Sequence, residues 1–503
     1  MTPARSRLLT ASVLLAMATP AVGAALRYAE DISPAIVNPL FATTMSEARV
    51  NELIFQGLYT DNEELAATPA LVESATVNAD KTAMTLTIRR GLTWHDGEAL
   101  DANDVLFTIQ AMKNKETLST EAGRVEWIES VTKVDDYTLE LSFGGVEARP
   151  EDKLYFKILP EHLFESSTVS RSDGFRNRPV GSGPYQLVRY NDDNSITFQA
   201  RGSSNIGELT MREISDKNYQ AKLLLYESLE ALIRVLPRDL AVLQNNRKVE
   251  LYPYQTNSWW YVGFNTERAP FDDQDVRQAI ANMIDVESLL APVGTGDILS
   301  GPFVKSSPFY NHDVRPWGYN YGTASGLLEK AGYAREGDWW VDKKGNPLTV
   351  NLNAHQTLES AQEVVINLQS QLQGSGVKVN VDFLDEAAWK SRVWREGEFD
   401  VILSQWSFDR NEDIHEQFHS KGSRNFTGYA NEEVDDLLDS AKNAKDPHAK
   451  KTALRKAHAL IHDDAPMVFL WTLDSYAAMS TRVSNVLIHP FYFFTYVDAW
   501  RLQ

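Results

Sequence analysis

Two rhythms of apolar and polar positions divide the chain. In the first, Met84-Thr85-Leu86-Thr87-Ile88 alternates and predicts a strand that ends at Gly91, and Thr138 to Phe143 alternates in the same way. Between them lies Leu92 to Leu100 with a tight Asp96-Gly97 turn. Asp101 then stands where it would cap a helix whose Val105, Ile109 and Met112 fall at helical spacing. Gly181-Ser182-Gly183-Pro184-Tyr185 punctuates the entry to a further strand, Gln186 to Tyr190. The first third is therefore mixed, strand-rich and loop-rich.

The second rhythm begins near residue 269. Phe271-Asp272-Asp273 precedes a helix with Val276, Ile280, Met283 and Ile284 on one face, the stripe of a helix that packs on a sheet. Leu348 to Leu352 predicts a strand, Leu358 to Gln373 a helix stopped by Gly374, and Val377 to Phe383 a strand. Glu386 to Arg395 then reads as helix and Phe399 to Gln405 as strand. This β-α-β-α-β order implies parallel strands with crossover helices, an α/β lobe. Internal repeats and low-complexity runs are absent, and the aromatic tail from Val468 to Phe494 is expected to pack back onto a core.

Composition narrows the picture. At 503 residues the chain has room for two or three lobes, and 43% hydrophobic with 23% charged residues is a globular balance. A formal charge of -20 disfavours nucleic acid and anionic lipid as partners and suits cationic or zwitterionic ligands. Arg5 and Arg7, the apolar Leu8 to Ala18 and the small residues Thr19 to Ala25 read as a secretory signal peptide over residues 1–25. With no cysteine there is neither a disulfide framework nor a lipid-modified cleavage site, so a soluble periplasmic protein is expected.

The sharpest enzymatic signal is His415-Glu416-Gln417-Phe418-His419, which on a helix sets two imidazoles one turn apart beside a glutamate. Its third ligand is not found at the usual spacings: Asn425 stands where an elongated motif wants histidine, and Glu432 lies too close. Nucleophile elbows, P-loops and dinucleotide fingerprints are missing, and Asp272/Asp273 and Asp435/Asp436 read as helix-start charges. Aromatic residues beside isolated acids remain. Trp259-Trp260-Tyr261 is one such run, and Trp406 precedes Asp409 just beyond a strand end, where open α/β sheets place ligands. A carboxylate there suits a ligand ammonium while indole walls exclude water.

Several ordered segments carry a resemblance. Trp94-His95-Asp96-Gly97-Glu98, Asp104 to Thr108, Gly181 to Tyr185, Gly263-Phe264-Asn265-Thr266, Ala269 to Ile280 and Asn425 to Tyr429 resemble the family 5 extracytoplasmic solute-binding proteins of ABC importers, which include oligopeptide-, dipeptide- and nickel-binding proteins. The resemblance implies a two-lobed periplasmic-binding-protein-like α/β fold (type II) with an extra subdomain inserted in the first lobe. Its expected divisions are 26–58, 181–268 and 476–503 for lobe I, 59–180 for the insertion and 269–475 for lobe II. Lobe crossings are expected near Asn265 to Pro270 and Leu473 to Ala477. It also implies capture of a short peptide or other amine-bearing solute between hinged lobes, delivery to inner-membrane permease subunits, and a monomer with no cofactor, resident metal or catalytic residue. Trp406-Ser407-Phe408-Asp409 matches the family's W-x-x-D segment, which assigns Asp409 to the ligand ammonium. Trp406, Trp259, Trp260 and Tyr261 are expected as walls, and His355 or Arg410 as partner of a ligand carboxylate. The alternatives are a secreted zinc peptidase built on His415, Glu416 and His419, or a family member that binds an oligosaccharide, an opine-like compound or a nickel chelate.

Overall fold

The computed structural model describes residues 25–503 apart from 64, 203, 256, 257, 357, 359 and 409–411. The expected signal peptide lies outside the described residues. Among those described, no helix is long and apolar enough to cross a membrane.

Three sheets organise the molecule. The largest has eight strands, and its centre is Ala25–Glu30, parallel to Glu208–Glu213 and to Ala231–Leu232. Tyr185–Tyr190 and Ile196–Ala200 extend one side, and Trp471–Ser480 with Val249–Gln255 extend the other. A separate four-stranded antiparallel sheet holds Ala83–Ile88 and Thr138–Phe143 as central neighbours, with Val72–Val77 and Ile128–Asp135 at its edges. One continuous core joins these two sheets. Leu86, Leu139 and Leu141 of the small sheet share it with Leu26, Phe198 and Leu209 of the large one, and Phe493, Phe494 and Trp500 of the tail seal it.

The helix Ala102–Lys113 packs on the small sheet for reasons legible in its sequence. Asp101 accepts from Asn103 N at 2.7 Å while Asp104 reaches back to Asp101 N at 2.9 Å, a capping box worth about 1 kcal/mol. Val105, Ile109 and Met112 are buried on its inner face. Trp94 Nε1 also donates to Asp104, at 3.2 Å, and Glu161 N donates at 2.8 Å.

The third sheet runs in the order Lys378–Leu384, Thr349–His355, Val401–Ser407, Ser258–Phe264, Met467–Phe469. Thr349–His355 is parallel to both neighbours, as the β-α-β-α-β order requires, and the helix Ala361–Gly374 makes the crossover. The predicted helix from Glu386 ends in a π-helical stretch, Trp389–Arg395. Ser258–Phe264 sits between two antiparallel partners and is buried throughout, because this sheet carries a core on each face. Hydrogen bonding therefore passes from the large sheet to the five-stranded one between Gln255 and Ser258, and back between Phe469 and Trp471.

Candidate functional site

Parallel pairing of Thr349–His355 with Val401–Ser407 brings His355 and Trp406 to one edge, at the carboxyl ends of adjacent strands. Across the antiparallel pairing Trp406 stands directly opposite Trp259, so both point to the same face. Trp406 is half-buried. The Arg424 guanidinium lies 5.8 Å from its ring centroid, Phe426 lies at 6.3 Å, and the Gln417 amide oxygen, in the orientation that satisfies both ends of that amide, accepts from Trp406 Nε1 at 2.8 Å. These partners fix the indole rotamer and leave part of the ring open.

Beyond Trp406 the chain leaves the sheet and meets the other half of the molecule. The Phe408 ring stands edge-on to Phe491, 5.9 Å between centroids, and Phe491 belongs to the tail that seals the larger core. A second bridge joins Lys445, between two helices of the five-stranded unit, to Asp80 in a hairpin of the small sheet at 3.9 Å. Gln255 at the sheet crossing accepts from Ser306 Oγ at 2.7 Å.

The other predicted residues separate into three groups. Trp259 and Tyr261 are 1% and 2% exposed and pack with Phe469 on one face of the sheet; Trp260, 3% exposed, packs against Trp471 on the opposite face. Their burial follows from strand alternation between two cores. Trp259 Nε1 is buried and has no hydrogen-bond partner among the described residues. The His355 ring is edge-on to Trp389, 5.4 Å away. Asp409 and Arg410 lie outside the described residues.

The H-E-x-x-H string forms a single helical turn, His415–Phe418, with His419 as its cap. The two imidazoles stack with centroids 4.5 Å apart. Glu416 accepts from Ser423 N at 2.9 Å and Ser423 Oγ at 2.8 Å, which lowers its pKa below the usual carboxylate value and ties it to the following loop. A glutamate so held is a poor general base. The residue that sequence spacing missed is Asp439, on the helix Glu432–Lys442, whose Oδ1 lies 3.0 Å from His415 Nε2 and 3.6 Å from His419 Nε2.

Two motifs that carried the resemblance meet far from this edge. His95 Nδ1 accepts from Gly181 N at 3.3 Å, which leaves its Nε2–H to donate to Gly183 O at 3.0 Å. Gly183 N donates in turn to Ile54 O at 2.7 Å, at the end of the helix Met45–Ile54. A Cβ on Gly181 would lie 1.9 Å from Ile54 O, so only glycine permits the approach. Burial lowers the His95 pKa and keeps the ring neutral for this clamp.

Two α/β units bridged by the Phe408–Phe491 and Lys445–Asp80 contacts give the two-lobed fold of a solute-binding protein. The comparisons agree. Residues 66–426 match the model for bacterial extracellular solute-binding proteins, family 5 (middle), and the chain belongs to that family. The oligopeptide-binding protein AppA of Bacillus subtilis is 25% identical over 496 residues, covering 93% of this chain and 90% of that protein. Heme-binding protein A of Haemophilus influenzae is 25% identical over 460 residues, covering 84% and 82%. The solved structure of B. subtilis AppA in complex with a nonapeptide superposes with a TM-score of 0.77 at 23% identity, covering 96% of this chain and all of that one. The family consists of extracytoplasmic substrate-binding proteins, not enzymes, and this chain is one of them.

Proposed function

We propose that this protein captures a short peptide, or another amine-bearing solute, between its two lobes in the periplasm and presents the closed form to the permease subunits of an ABC importer. In this reading the small sheet is the inserted subdomain, and the lobes change at the two sheet crossings, Gln255 to Ser258 and Phe469 to Trp471, ahead of the positions near 265–270 and 473–477 expected from the sequence. The observation that carries it is the placement of Trp406, part-open at the strand ends, two residues from the Phe408–Phe491 contact that spans the two halves. A solute held there touches both lobes, and such differential contacts are what drive closure.

Asp409 takes the ligand ammonium in this account, because it follows Trp406 in the W-x-x-D segment and an anion beside a partly dry indole forms a strong charge-assisted bond. An extended peptide also brings backbone groups that can pair with the protein's main chain as an added strand. His355 and Arg410 are the candidate partners for a ligand carboxylate, and Trp260 and Tyr261 set the strand that carries Trp259. The relative named for oligopeptides supports peptide as the cargo.

Native mass spectrometry of protein purified without added solute identifies the passenger, and calorimetry with that compound then compares wild type with Asp409→Ala. The expected results are a peptide or amine and a loss of about 2–5 kcal/mol in binding. A passenger without an amine, or unchanged affinity in Asp409→Ala, overturns this reading.

A further inference from the structure

We propose that His415, His419 and Asp439 form a binding site for one divalent first-row transition metal, zinc first among them, which clips the segment after Trp406 to the helix Glu432–Lys442. The site is non-catalytic. It stands independently of the cargo proposed above.

Three observations carry it. The donor atoms of the three side chains lie within 4.8 Å of one another. Tetrahedral ligands around zinc sit roughly 3.3 Å apart, given bonds of about 2.0–2.1 Å, and Asp439 Oδ1 already stands 3.0 Å and 3.6 Å from the two Nε2 atoms. Two imidazoles and one carboxylate with a free fourth position are a donor set that borderline metals favour over calcium or magnesium.

The outer side of each ring is also prepared. A histidine that binds metal through Nε2 carries its proton on Nδ1 and commonly gives it to a carboxylate, which fixes the tautomer. His415 Nδ1 is buried without a hydrogen-bond partner among the described residues, and Glu416 Oε1 stands 3.5 Å from it. His419 Nδ1 has Asp435 Oδ1 at 3.8 Å. Without metal, His419 Nδ1 accepts from Lys421 N at 3.0 Å, so its Nε2–H points at Asp439. Metal binding exchanges that proton for the ion, moves it to Nδ1 and replaces the Lys421 contact with one to Asp435. The H-E-x-x-H glutamate thus orients a ligand and does not activate water.

The test is calorimetric titration of zinc chloride into untagged mature protein after chelator treatment and dialysis, repeated with cobalt(II) while visible absorption is followed. Expected are one equivalent of zinc, low-symmetry cobalt bands, and at least tenfold weaker binding in Asp439→Asn and His415→Gln, with circular dichroism unchanged. Glu416→Gln, which keeps the fold contacts but weakens the outer carboxylate, should cost roughly 10- to 100-fold. Absence of saturable binding, or affinity unchanged in both Asp439→Asn and His415→Gln, overturns the proposal. Neither result bears on cargo capture, which is read from the passenger and from Asp409→Ala.

Discussion

Phe408 and Phe491 meet edge to face, 5.9 Å between ring centroids and 77° between planes, and they come from opposite halves of the molecule. Such a pair contributes about 0.5–1.5 kcal/mol beyond its buried area. In the proposed clamshell this contact belongs to the closed state. Phe491→Ala should shift the ligand-free protein toward open forms, seen as a larger radius of gyration in small-angle scattering. It should also weaken passenger binding by roughly 2- to 12-fold, the same energy expressed as a ratio. An unchanged radius and unchanged affinity would show that the pair does not hold the lobes.

Gly181 is the tightest point of the clamp between the two sheets of the larger core. Gly181→Ala forces a Cβ to within 1.9 Å of the Ile54 carbonyl, and backbone on both sides must move. The expected cost is about 3 kcal/mol or more, read as a lower denaturation midpoint in urea. Ser182→Ala, between the two glycines, serves as the control and should change stability by far less.

His458 sets part of the acid sensitivity of the five-stranded unit. Its ring is fully buried, bonded to Ser300 Oγ at 2.9 Å and stacked on Phe303, and burial takes its pKa down to about 3, helped by His462, His312 and Arg455. The unfolded chain takes up this proton near 6.5 and the folded one only near 3, so the neutral ring's contribution is complete above pH 6.5 and lost as pH falls through that window. Between pH 7.5 and 5 the loss from this residue is about 2 kcal/mol. Urea denaturation at the two pH values should show a smaller difference in His458→Gln than in wild type; equal differences would exclude His458 as the source.

What was legible in the sequence was local. The helix Ala102–Lys113 announces itself by its capping box and apolar spacing, and the parallel order around Thr349–His355 follows from alternating strand and helix periods. What was not legible needed contacts between distant segments. Ser258–Phe264 reads as an aromatic run beside acids, yet its partners are Val401–Ser407 and Met467–Phe469, more than a hundred residues away, and pairing with them buries every side chain. Asp439 carried no motif, because its relation to His415 and His419 arises from one helix turn packing on another. Likewise His95 and Gly181 drew attention as motifs, and only the fold shows that each exists for the other.

The central claim is that two lobes close on a solute without altering it. Small-angle scattering of stripped protein, before and after its own passenger is restored, tests this most directly, with mass spectrometry of the recovered passenger alongside. The account predicts a smaller radius of gyration on reloading and an intact passenger. An identical radius in both states, or a cleaved passenger, contradicts it.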